Sequence, residues 1–129
     1  ALYDEKRYED ALPFLDSSIL FSPKMPDSYF LKIRSLEALG RLDSALAEAE
    51  IAVVLFPKDI RVRDATCDLL MAKEMYQPAF AHADTLLDLV GVAPVYWKKA
   101  IGIRQIAGYN AEAGQLYQKG LQQGVDFDN

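Results

Sequence analysis

The chain has 129 residues, about half hydrophobic and a quarter charged, with a formal net charge of −5, proportions ordinary for a soluble globular chain. Its 14 basic residues form no run or stripe, so binding to a nucleic-acid backbone has no support. No apolar stretch reaches the ~20 residues that span a bilayer, and a single cysteine, Cys67, forbids an internal disulfide. No signal peptide is visible, but the sequence opens at Ala1 without a methionine and reads as an excised piece of a longer protein, so that absence is uninformative and the compartment stays open.

In chain order, residues 1–6 supply the last turn of one helix. A second, Glu9 to Phe21, places Ala11, Leu12, Leu15 and Ile19 on one face. Pro13 lies in or just past its first turn, where the lost N–H is tolerated. Pro26 suits a first helical position; that helix runs to Leu39 and is ended by Gly40. Asp43 opens the next one, its charge complementing the helix dipole. There Ala45, Ala49 and Ala52 present small side chains that let neighbouring backbones come close. A third pair covers Ile60 to Val90, turning at Met75-Tyr76-Gln77 with Pro78 in the first turn of its second helix. The fourth starts at Pro94 and turns at Gly108-Tyr109-Asn110. The last helix, Ala111 to Gln123, is expected to bury Ala113, Leu116, Tyr117 and Leu121. Gln115, Gln118, Lys119, Gln122 and Gln123 then face outward. Gly114 and Gly120 each cost about 1 kcal/mol of helix propensity, which predicts a loose end unless something covers it.

Reactive groups are few. Cys67 shares a column with Ile33 and Ile101 and reads as a small buried hydrophobe. Asp84 and Asp88 share a helix face from which His82 is turned away. Two carboxylates without a third converging ligand make a poor metal site, so this face reads as solvated. Trp97 reads as an aromatic wedge between neighbouring repeats. No catalytic residue, metal or cofactor is expected, and the chain reads as not an enzyme.

Shifting the chain against itself by 34 residues brings back one skeleton. Ala11, Ala45, Ala79 and Ala113 form a column, as do Ile19, Val53, Leu87 and Leu121, and Leu2, Leu36 and Leu70. Gly40 aligns with Gly108, Pro23 with Pro57, Tyr29 with Trp97, and Tyr8 with Tyr76. In this period and these residues the chain resembles the tetratricopeptide repeat (TPR) family, for which this period and helix–turn–helix unit are typical. Gly91 departs from the pattern where a closing proline is usual, as does Arg63 in the aromatic column. The resemblance implies an all-α, right-handed superhelix of antiparallel helix hairpins. Residues 1–25 would be a truncated repeat, and 26–59, 60–93 and 94–127 full ones.

It also implies that the first helix of each repeat lines a concave groove. The groove residues are then Asp27, Phe30, Arg34 and Glu37, followed by Arg61, Asp64, Asp68 and Met71, and finally Val95, Lys98, Gly102 and Gln105. With repeats in register, Asp27 neighbours Arg61, Arg34 neighbours Asp68, and Asp64 neighbours Lys98. These charges either tie repeats together or form a recognition strip that a ligand re-pairs. Gly102 lacks a side-chain wall and predicts a depression rimmed by Asp68, Met71, Lys98 and Gln105. TPR domains that hold acidic chaperone tails resemble one another in groove lysines, asparagines and arginines. Phe30, Arg34, Ala65, Val95 and Lys99 stand at those places, and the missing asparagines argue against that role. The expectation is a non-catalytic module binding a protein or peptide partner, without nucleic acid or membrane insertion. The alternative is a structural assembly element that self-associates through open repeat ends.

Overall fold

The computed structural model describes residues 2–128, with side chains from residue 5 onward. Among the described residues there are seven helices and no strand. They are α1 (Leu2–Phe21), α2 (Pro26–Ala38), α3 (Leu42–Leu55), α4 (Ile60–Ala72), α5 (Tyr76–Val90), α6 (Pro94–Ile106) and α7 (Asn110–Gln123). The chain divides into two compact units, Ala1–Leu69 and Leu70–Asn129, with the boundary inside α4. In the first unit α1 packs on α2 and α2 on α3; in the second α5 packs on α6 and α6 on α7.

Backbone chemistry at the helix ends explains where the chain turns. Gly40, Gly108 and Gly124 are left-handed, at φ 76°, 88° and 93°. At each, the glycine's own N–H and the next residue's N–H return to carbonyls of the last turn, as in Gly40 to Glu37 at 3.0 Å and Arg41 to Leu36 at 2.9 Å. This motif satisfies carbonyls that a helix end would leave bare. The α4–α5 turn uses the same bonds, Met75 to Leu70 and Glu74 to Met71, but its left-handed residue is Glu74 at φ 59°. At the other ends, Pro26 and Pro94 occupy first-turn positions of α2 and α6. The Asp59 carboxylate accepts the Val62 N–H at 3.0 Å and caps α4.

The core of the first unit is Tyr29, Ile33 and Leu36 of α2 against Ala45, Ala49 and Ala52 of α3, with Val62, Ala65 and Cys67 of α4. All three alanines are fully buried, as the small-residue column predicts. Phe56 meets Tyr29 edge-on at 5.5 Å, and Lys32 joins three helices through Asp16 of α1 and Glu48 of α3, at 2.8 and 2.7 Å. In the second unit the core is Ala79, Phe80, Ala83 and Leu86 of α5, Trp97, Ala100 and Ile103 of α6, and Ala113 of α7.

Three expectations are corrected. First, α1 is one unbroken helix from Leu2 to Phe21 with Pro13 inside it, not a helix end followed by a second helix. Lys6 and Arg7 stand in the columns of Gly40 and Arg41, yet both are strong helix formers and neither has glycine's access to positive φ. Second, the α4–α5 turn sits one step earlier than read, since Tyr76 and Gln77 already belong to α5. Third, Tyr117 and Leu121 of α7 are exposed rather than buried. The tail after Gly124 folds back instead: Val125 is buried, and the Phe127 ring lies 4.7 Å from that of Tyr117. Gly120 is where tail and core meet. A Cβ there would lie 2.7 Å from Phe127 Cζ and 3.0 Å from Trp97 Cε3.

Candidate functional site

In the first unit, the facing sides of α2 and α4 carry six of the residues selected from the sequence: Phe30, Arg34, Glu37, Arg61, Asp64 and Asp68. Phe30 is half-buried with two guanidinium groups over its ring, that of Arg34 at 5.3 Å and that of Arg61 at 5.1 Å from the centroid. Each guanidinium is steered by carboxylates. Arg61 Nη2 donates to Asp27 at 2.6 Å and to Asp59 at 3.4 Å. Arg34 Nη1 donates to Glu37 at 2.7 Å, and its Nη2 lies 3.8 Å from Asp68. Two pairs expected from the repeat offset, Asp27 with Arg61 and Arg34 with Asp68, are therefore present. The hydrogen bond to Asp27 raises the pKa of Arg61 above its ordinary value, outweighing slight desolvation. Asp64 lies half-buried on the same stretch of α4.

The construction is local. Asp27 occupies the first turn of α2, where the dipole favours a negative charge. Phe30, Arg34 and Glu37 follow at helical spacing on one face. Asp59 serves twice, one oxygen capping α4 and the other meeting Arg61. The result is an aromatic ring beside two cations that are themselves held by one exposed carboxylate, Asp27, and three half-buried ones, Glu37, Asp59 and Asp68.

The second unit holds Met71, Lys98, Gly102 and Gln105. Met71 and Gly102 are half-buried, and Lys98 and Gln105 exposed. A Cβ added at Gly102 would meet nothing within 4 Å, so close packing does not require glycine there and the α6 backbone faces open space. Val95 on the same helix is exposed.

Sequence reasoning missed Arg104. It stands in the column of Leu36 and Leu70, so a charge in a leucine position was the available signal. Its side chain is buried and donates to both oxygens of Asp84 at 2.8 Å and to the Ala100 carbonyl at 3.1 Å. Its guanidinium also lies 4.8 Å over the Phe80 ring. Asp84 is thus exposed but paired, not simply solvated. Beside this pair is a cleft of about 480 Å³ lined by Asp88, Trp97, Glu112 and Lys119 among others. The Trp97 indole N–H donates to the Gly91 carbonyl at 2.7 Å. Arg63, in the same column, donates to the Pro57 carbonyl at 3.1 Å, and Pro57 is in the column of Gly91. The arginine that breaks the aromatic column keeps the aromatic's hydrogen bond.

Cys67 is fully buried and His82 half-buried. Among the described residues no group of three or more His, Cys, Asp or Glu side chains is placed to hold a metal ion, and no helix is long and apolar enough to cross a membrane. In comparison with known proteins, no family model matches the chain and no curated protein matches it.

Proposed function

We propose that this chain is a TPR-type, non-catalytic protein-interaction module that takes a partner segment on its α2/α4 face. The observation that carries this reading is the Phe30 clasp: a half-exposed aromatic ring with the Arg34 and Arg61 guanidinium groups over it, two of whose carboxylate partners, Asp27 and Asp68, reach the surface. Aromatic and arginine side chains are the groups that most often dominate binding interfaces. Exposed ion pairs contribute only about 0–1 kcal/mol each, so a partner carboxylate displaces Asp27 or Asp68 at little cost while apolar atoms cover the ring. Fixed helices hold the clasp, which limits the entropy lost on binding. In the second unit, the open backbone at Gly102 gives a partner side chain room beside Lys98 and Gln105. The chemistry of Cys67 supports a non-enzymatic role, since a reactive thiol needs an accessible, electropositive setting and this one is sealed in the core.

The test is partner capture by wild-type protein against Phe30→Ala and Arg34→Glu, with helical circular dichroism as the folding control. Loss of capture in folded variants is the expected result. Capture undiminished in both removes the α2/α4 face from consideration. Gly102→Arg, whose Cβ meets nothing within 4 Å, is expected to block capture through the second unit in the same assay.

A further inference from the structure

A second surface, unrelated to the Phe30 clasp, lies on the first unit. We propose that the uncovered side of α1, with the adjoining edge of α2, is the seat of an amphipathic α-helix from a separate polypeptide. That helix carries an aromatic residue, aliphatic residues three and four positions on, and a leucine seven positions on.

The internal repeat supplies the argument. Ala11 and Ser18 of α1 correspond by the 34-residue offset to Ala45 and Ala52 of α3, and by three such offsets to Ala113 and Gly120 of α7. All four counterparts are buried, because α2 lies on α3 and α6 lies on α7. On α1 the same positions lack that cover. Ser18 is exposed, Ala11 only half-buried, and Phe14 and Phe21 are 76% and 83% exposed. The seat is also shaped. In the second unit Gly120 receives the Trp97 ring. At the corresponding place Ser18 lies in a depression of about 470 Å³ walled by Phe14, Phe21 and Met25. A further depression of about 320 Å³ lies against Tyr8, Ala11, Leu15 and Leu31. These α1 positions recur every three or four residues from Tyr8 to Phe21, a stripe roughly 20 Å long, matching the 13 residues of α2 or α6.

The pattern of the occupant follows from the helices that fill the equivalent places. α2 presents Tyr29, Ile33 and Leu36, and α6 presents Trp97 and Ile101 at the first two of these positions. Lys32 of α2 reaches Glu48, but the column of Glu48 holds Phe14 in α1, so the occupant needs an apolar residue there, as α6 has in Ala100. Charge fits the same orientation. A helix lying on α1 as α2 lies on α3 brings its C-terminal carbonyls to the end lined by Arg7, where a cation complements the dipole. α1 stays helical through Lys6 and Arg7. Those are the columns where Gly40 and Gly108 turn the chain between paired helices, so no such turn delivers a helix to this seat.

The probe is a fluorescein-labelled peptide of Pro94–Ala107 carrying Gly102→Ala for helicity and Arg104→Leu to complete the stripe, followed by fluorescence anisotropy on the intact chain. Saturable binding is expected, weakened about tenfold or more by Phe14→Asp and by Ser18→Glu, and unchanged by Ser44→Glu on exposed α3 surface; a tenfold change corresponds to ~1.4 kcal/mol. Phe14 and Ser18 are exposed, so both variants keep wild-type helical circular dichroism. Absence of saturable binding, or binding indifferent to both α1 variants, overturns the proposal. So does a concentration-dependent dimer in sedimentation that Phe14→Asp dissolves, because the occupant is then a second copy of this chain.

Discussion

Two glycines in one helix respond oppositely to the same substitution. Gly114 and Gly120 both lie inside α7, and replacing either with alanine gains about 1 kcal/mol of helix propensity. At Gly114 the new methyl meets nothing within 4 Å, so the gain stands. At Gly120 it arrives 2.7 Å from Phe127 Cζ, 3.0 Å from Phe127 Cε2 and 3.0 Å from Trp97 Cε3. Phe127 can swing away on its tail. Trp97 is fully enclosed and tied to Gly91 through its indole N–H. Overpacking of this kind costs about 1–3 kcal/mol, which cancels or exceeds the propensity gain. Thermal unfolding followed by circular dichroism then gives a midpoint about 3–5 °C higher for Gly114→Ala and an unchanged or lower one for Gly120→Ala. Adding Phe127→Ala to Gly120→Ala recovers part of the loss. Equal rises at both positions would refute the packing of the tail and Trp97 on Gly120.

Glu74 holds a left-handed conformation that costs a side-chain-bearing residue about 1–2 kcal/mol, so Glu74→Gly raises stability by roughly 1 kcal/mol in urea unfolding; a loss would mean that the Glu74 side chain matters more than its backbone. Ala45 is fully buried where α3 packs on α2, and Ala45→Leu lowers the unfolding midpoint by an amount equivalent to about 1–3 kcal/mol. For Lys32, burial lowers the pKa but hydrogen bonds to Asp16 and Glu48 more than offset it, leaving the folded-state value above the ordinary one. Its stabilisation is therefore complete below the unfolded value of about 10.4 and is lost as pH rises through the folded value. The stability difference between wild type and Lys32→Met is expected to stay flat from neutral pH to about 9 and to shrink above about 10.4.

Much of this structure is readable in the repeat offset, because equal positions in successive hairpins meet equal neighbours. The buried alanines, the turn glycines, and the pairs Asp27–Arg61 and Arg34–Asp68 all follow from it. What escapes it are places where the local chain overrides the column. Lys6 and Arg7 extend α1 because nothing in their backbone favours a turn, whereas Glu74 turns because its own N–H and that of Met75 find carbonyls of α4. Tyr117 and Leu121 occupy apolar columns, but the cover on α7 comes from Val125 and Phe127. Gly124 followed by Val125 is the local signal for that fold-back, since a hydrophobic residue just past a left-handed helix end commonly packs on the last turn. Arg104 was hidden for a different reason. A column average reads it as leucine, while its hydrogen bonds to Asp84 and Ala100 make burial of the charge tolerable.

Site-specific photocrosslinking addresses the proposed interaction surface most directly. A photoreactive phenylalanine analogue is placed at Phe30, at Val54 on exposed α3 surface, and at Phe14 in the proposed helix seat. The same partner mixture is irradiated with each. A partner crosslinked from position 30, lost on adding Arg34→Glu and not obtained from position 54, is the predicted result. Crosslinks from position 54 or 14 with none from position 30 would contradict the assignment of the α2/α4 face as the binding surface.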